Sequence, residues 1–333
     1  MSKSVGIPIV DITEFNQATA DALVEAASTM GFVMIEGSGF TKKEVDEAFQ
    51  LSADFFSTSL EEKKSVSITE GNHGYSCMNL EVLDPDNQVK GDPKEAFNIT
   101  QSPDGTLGDM PLPPFLDQNK EQALDIWRKC HETGMRILRL LALGLKIDEA
   151  KGGVNWFTDR HSIDQPSGSV LRFLFYPGQT KEDPETIIRA GAHTDYGTLT
   201  LLFQKEGEDG LEVLSPITKQ WTPVTFVPSK DPENYAPPLV VNIADLLSFW
   251  SAGILKSSIH RVKFPEYLQK TGKDRYSTVF FLHPQNSTLL EPIPSEIVAN
   301  VTTRGPSAQK DGKYITAQEH LSKRLAATYG WKK

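Results

Sequence analysis

A chain of 333 residues with 38% hydrophobic and 23% charged content can bury a large core, and a barrel of this size often counts as one domain. The net charge of -10 argues against nucleic acid or an anionic membrane as the main partner, since both attract basic surfaces. Two cysteines, Cys77 and Cys130, are too few for a disulfide framework and lack CxxC spacing; with no apolar leader in Met1 to Gly6 and no run long enough to span a bilayer, a cytoplasmic chain is expected.

In chain order, helical signals come first and strand signals later. Thr41-Lys42-Lys43-Glu44 and Ser59-Leu60-Glu61-Glu62 have the form of capping boxes, in which the hydroxyl accepts from a helix amide and the glutamate returns the bond. Between Asp117 and Leu145 the apolar residues Leu124, Trp127, Met135, Leu138, Leu141 and Leu145 recur at helical intervals, which predicts a long amphipathic support helix. From about Ser169 to Pro284 short apolar strands alternate with Gly, Pro and Asp; the clearest are 199–203, 238–245, 257–264 and 275–282. Thr316-Ala317-Gln318-Glu319 then repeats the capping box and opens a C-terminal helix. The pattern divides the chain into an N-terminal α/β region (1–115), a support helix and connection (116–168), a β core (169–290) and a C-terminal extension (291–333), with 80–91 and 302–312 as the most mobile stretches.

Chemistry concentrates in three short segments. In Arg189 to Gly197, His193 and Asp195 stand two residues apart, so on an extended segment they point the same way and can share a metal. A third ligand, His260 of Ser258-Ile259-His260-Arg261, completes two histidines and one carboxylate, the set that leaves coordination positions open on non-haem Fe(II). Arg275 and Ser277 are also two apart and share a strand face, and an inward guanidinium requires an anion from protein or ligand.

The order and spacing of His193-Thr194-Asp195, Ile259-His260-Arg261-Val262 and Arg275-Tyr276-Ser277 resemble the Fe(II)- and 2-oxoglutarate-dependent dioxygenases related to isopenicillin N synthase. Ile7 to Ile12, Met30 to Gly37 and Gly74-Tyr75-Ser76 look like that family's opening strand, its glycine-phenylalanine strand and its glycine-tyrosine loop. The resemblance implies a mainly β protein with flanking helices and a double-stranded β-helix (jelly-roll) core. It further implies Fe(II) on His193, Asp195 and His260, with 2-oxoglutarate and dioxygen as cosubstrates and ascorbate as a supporting reductant. Arg275, Ser277 and Tyr176 would hold the distal carboxylate of 2-oxoglutarate. Fungal thymine hydroxylases resemble this chain in Arg172, Tyr196, Phe281 and the ending Arg324 to Tyr329, which makes the first three the expected substrate contacts, with His73 to Tyr75 and Phe97 as a cap over the pocket. The implied activity is hydroxylation or related C–H oxidation of a small molecule in specialised metabolism, by a chain for which a monomer suffices.

Three other readings remain at this stage. Plant relatives carry Asn where this chain has Leu174, which leaves open an oxidase of the same family that dispenses with 2-oxoglutarate. A hydrolytic zinc enzyme could use the same ligands but gives no reason for Arg275-x-Ser277. A non-catalytic small-molecule-binding barrel is the third, although none of the three ligands is missing.

Overall fold

Alternation of side chains along its strands gives this protein two apolar layers, one between its sheets and one beneath its helices. The structure is a computed structural model that describes residues 6–84, 87–88, 90–178, 187–301 and 312–329. The N-terminal part runs β1 (Ile9–Asp11), α1 (Gln17–Thr29), β2 (Phe32–Glu36), α2 (Lys42–Ser57), α3 (Leu60–Lys64), β3 (Gly74–Ser76) and β4 (Glu95–Thr100). Helices α4 (Pro114–Gln118) and α5 (Lys120–Gly144) lead to β5 (Val170–Tyr176), β6 (Ile188–His193), β7 (Leu199–Phe203), β8 (Leu211–Leu214), β9 (Trp221–Pro223) and β10 (Leu239–Ile243). Then come α6 (Asp245–Trp250), β11 (His260–Lys263), α7 (Glu266–Thr271), β12 (Arg275–Leu282), α8 (Glu296–Ala299) and α9 (Ala317–Tyr329).

The strands form an eight-stranded sheet, β1-β2-β10-β7-β12-β5-β4-β3, and a four-stranded sheet, β6-β11-β8-β9. This is the mainly β, jelly-roll arrangement expected from the sequence, with the N-terminal strands extending the larger sheet at both edges. Strand β12 pairs with β5 so that Arg275, Ser277, Val279 and Phe281 lie opposite Tyr176, Leu174, Arg172 and Val170. These residues face the smaller sheet, where Leu174, Tyr176, Ala190, Val262 and Val279 pack together. The alternate residues Leu171, Phe173 and Phe280 face the helices and join the larger core.

Helix α5 is the support helix: Trp127 meets Phe280 edge-on at 5.1 Å, and at Gly134 a Cβ would come within 2.8 Å of Leu282, so glycine lets helix and sheet approach. The capping box of α2 forms in full, with Thr41 accepting from the Glu44 amide at 3.2 Å and Glu44 accepting from the Thr41 amide at 2.8 Å. That of α9 forms likewise between Thr316 and Glu319. At Ser59 only half does. Ser59 accepts from the Glu62 amide, but Glu62 takes the Phe115 amide at 2.8 Å and satisfies an unpaired donor in the first turn of α4. Residues 302–311, and positions 85, 86 and 89 of the 80–91 stretch, on which the expectation of mobility falls, lie outside the described residues. Among the described residues no helix is long and apolar enough to cross a membrane.

Candidate metal centre and its cavity

His193 ends β6 and His260 opens β11, and the antiparallel register places them directly opposite each other. Asp195 lies two residues past the end of β6, outside any strand. Each ring is oriented by its own segment: Nδ1–H of His193 donates to the Gly191 carbonyl at 2.7 Å, and that of His260 to the Ser258 carbonyl at 3.1 Å. A carbonyl can only accept, so in the neutral form of each ring the proton sits on Nδ1 and Nε2 carries the lone pair. Those two nitrogens stand 3.7 and 3.6 Å from Oδ1 of Asp195. Its other oxygen is committed, accepting from Thr200 at 2.7 Å and from Asn242 at 2.8 Å.

Three ligand atoms thus lie within 4.8 Å of one another, and the residues beside them fix their direction, as metal sites require. Burial and the neighbouring His260 outweigh the pull of Asp195 and bring the pKa of His193 down to about 4. Burial pushes Asp195 up, but His260, His193 and its two hydrogen bonds overcome this and hold it below the usual carboxylate range. Two imidazoles and one carboxylate form the donor set that fits Fe(II).

The ligands open onto a cavity between the two sheets. Arg172, Leu174 and Tyr176 of β5, Val279 and Phe281 of β12, and Tyr196 line it, so all three expected substrate contacts reach it. Arg275 and Ser277 do not line it. Arg275 is 3% exposed, its guanidinium carbon is 5.0 Å from the centre of the Tyr176 ring, and Nη1 donates to Ser277 at 2.8 Å. Its Nε donates to the carbonyls of Glu208 and Asp209 at 2.9 and 3.2 Å. Among the described residues no carboxylate lies within ion-pair distance of Arg275.

Arg172, by contrast, is engaged. It pairs with Glu81, which also meets Lys94 at 3.2 Å, and Lys94 meets Asp92 at 2.6 Å. Burial pushes the Glu81 carboxyl up, but Arg172 and Lys94 drive it well below its ordinary value. Burial pushes Lys94 down, but Glu81 and Asp92 keep its ammonium form favoured. Among the described residues the network brings together two cations and two anions, so Arg172, expected as a substrate contact, also has a carboxylate partner within the protein. Glu81, Lys94 and Asp92 had no motif to flag them, although Asp92 and Lys94 share the two-residue spacing of an extended segment. The expected cap is also corrected. Tyr75 and Phe97 are 2% and 0% exposed in the main core, His73 bonds Pro111 and Thr100, and from that loop only Asn72 reaches the cavity.

The C-terminal helix supplies another wall through Leu321 and Leu325. Arg324 of α9 ion-pairs with Asp245, donates to Thr194 at 3.0 Å and lies 5.2 Å from the Tyr196 ring centre. Asp245 also accepts from Thr194 at 2.9 Å and from Ser257 at 2.7 Å. One carboxylate therefore joins α9 to both ligand-bearing segments.

This fold and donor set define a non-haem iron oxygenase. Residues 7–128 match the family described as non-haem dioxygenase in morphine synthesis N-terminal, and residues 167–284 match the 2OG-Fe(II) oxygenase superfamily. A UPF0676 protein of Schizosaccharomyces pombe is 31% identical over 98% of this chain and 94% of its own. Clavatol oxidase of Penicillium crustosum is 30% identical over 97% and 96%. The crystal structure of the Neurospora crassa thymine hydroxylase with alpha-KG superposes with a TM-score of 0.77, at 29% identity and 98% coverage of both chains, and the same protein has been solved with alpha-KG and thymine. The chain belongs to the 2OG-Fe(II) oxygenase superfamily and is a 2-oxoglutarate-dependent dioxygenase. Leu174 is accordingly a substitution within such an enzyme, and its apolar side chain lines the cavity.

Proposed function

We propose that this dioxygenase oxidises a C–H bond of a small, neutral, ring-shaped molecule. The observation that carries the reading is the charge-balanced network on the cavity wall: Arg172 already has Glu81, so a substrate there meets a polar but uncharged surface beside Tyr196 and Phe281. Taking a substrate carboxylate would mean separating Arg172 from a buried glutamate, which is unfavourable. The thymine complex of the Neurospora crassa enzyme supports the same class.

In this reading His193, Asp195 and His260 hold Fe(II), which with 2-oxoglutarate and dioxygen supplies the oxidising chemistry and yields succinate and carbon dioxide. Thr200 and Asn242 keep one oxygen of Asp195 turned away, so that the other faces the metal. Arg275 binds the distal carboxylate of 2-oxoglutarate through its outer N–H groups, Ser277 fixes the guanidinium, and Tyr176 adds a hydroxyl at the cavity end. Arg172, Tyr196 and Phe281 orient the substrate, while Leu321 and Leu325 exclude water. The acidic charge and two free cysteines support a cytoplasmic enzyme whose partners are small molecules rather than nucleic acid or membrane.

The test is succinate release from the iron-loaded enzyme with thymine, uracil, p-cresol, benzoate and phenylacetate, with product mass followed in parallel. Neutral rings should stimulate release and gain an oxygen atom. Stimulation by the carboxylates alone would overturn the reading.

A further inference from the structure

One cavity wall carries a buried polar side chain that none of the described residues satisfies. His283 follows β12 and is 4% exposed, yet it lines the cavity. Its backbone is pinned by Ser169, whose Oγ accepts from the His283 amide at 3.0 Å and donates to the His283 carbonyl at 3.2 Å. The ring is seated between two glycines: a Cβ at Gly168 would come within 3.2 Å of it, and one at Gly197 within 2.7 Å of Nε2. A side chain at Gly197 would displace the imidazole, and one at Gly168 would crowd it.

Among the described residues neither ring nitrogen of His283 makes a hydrogen bond. The buried His131 and His161 differ. His131 bonds the His161 carbonyl at 2.8 Å, and His161 bonds the Phe157 carbonyl at 2.7 Å and the Thr198 hydroxyl at 2.9 Å. Buried polar groups are nearly always paired, and an imidazole that is fixed, unpaired and open to a cavity is placed to meet a ligand. Burial holds the ring neutral, with its pKa near 3, so it offers one N–H and one lone pair rather than a cation.

We propose that His283 is a specificity-determining contact for the primary substrate, bonding a neutral hydroxyl, carbonyl or N–H on the ring. The inference rests on the neutral-ring reading above and adds a second polar point on the wall shared with Leu321, apart from the network at Arg172. With polar contacts at two places, the site selects a ring bearing more than one polar substituent.

The experiment measures substrate-stimulated succinate release with thymine, p-cresol and toluene, of which the first two carry polar groups and the third has none. In H283F, KM for thymine and p-cresol should rise about tenfold while that for toluene changes less than about twofold, because one hydrogen bond to substrate is lost and the ring volume is kept. H283N, which restores a donor and an acceptor, should bring the polar probes back to within about threefold of wild type. Equal shifts for all three probes, or none, would overturn the subsite and leave the neutral-ring reading standing. Failure of all three probes to stimulate wild-type enzyme would overturn both.

Discussion

Replacing Arg275 by Gln removes a charge that the described protein does not neutralise. Its Nε is taken by two carbonyls and one Nη1 hydrogen by Ser277, which leaves the outer edge of the fork for a carboxylate. At 3% exposure water cannot take over that role. Removing one partner of a buried ion pair costs roughly 3–5 kcal/mol, or about a hundred- to several-thousand-fold in affinity. The apparent affinity for 2-oxoglutarate should fall by that range in R275Q, read from anaerobic titration of the Fe(II) enzyme and from the saturation curve of succinate release. Arg275→Lys should fall between, keeping the charge but not the two-pronged geometry. A thermal melt on each variant separates this from lost support of the Glu208 and Asp209 carbonyls. A well-folded R275Q with an unchanged 2-oxoglutarate saturation curve would show that the cosubstrate's distal carboxylate binds elsewhere.

Further outcomes follow from the same structure. Glu81→Gln removes the carboxylate shared by Arg172 and Lys94 and leaves Asp92 on Lys94; the variant should lose roughly 3–5 kcal/mol in denaturant unfolding and shift its preference toward carboxylate-bearing rings, whereas unchanged stability would refute the network's role. Arg324→Ala should loosen α9, seen as faster hydrogen exchange in residues 317–326, with a raised substrate KM and little change in 2-oxoglutarate affinity; an equal loss of both would contradict it. His161 and His283 are held neutral by burial with folded pKa values near 3, against about 6.5 unfolded. The unfolded chain therefore binds more protons below about pH 6.5, and stability that is complete above that value is lost as pH falls toward 3, by about 1.4 kcal/mol per unit for each histidine. Chemical denaturation between pH 7 and 5 checks the sign, and His161→Gln should flatten the slope.

The metal centre was legible because its chemistry is local in sequence: a two-residue spacing put His193 and Asp195 together, and His260 carried its own flanking strand. The two-residue rule also joined Arg275 to Ser277. What it could not show was partnership. Whether Arg172 is free or paired depends on Glu81, 91 residues away in the chain and in no regular element. The capping boxes show the same limit: Thr41 and Ser59 carry equivalent motifs, but a passing amide from Phe115 captures Glu62 and only one box closes. His283 had no spacing to announce it, since it is the first residue after β12 and its seat is shaped by glycines on two other segments. Tyr75 and Phe97 were misplaced as a cap because an aromatic residue reads alike whether it packs in a core or covers a ligand.

The central claim is that His193, Asp195 and His260 hold one Fe(II) that turns over 2-oxoglutarate. Metal content and succinate release, measured on the same anaerobically reconstituted preparation of wild type and Asp195→Ala, test it most directly. One iron per chain with succinate formed in the wild type, and loss of both in a D195A protein that still melts cooperatively, is the expected result. Full iron content and undiminished succinate release in D195A would contradict it.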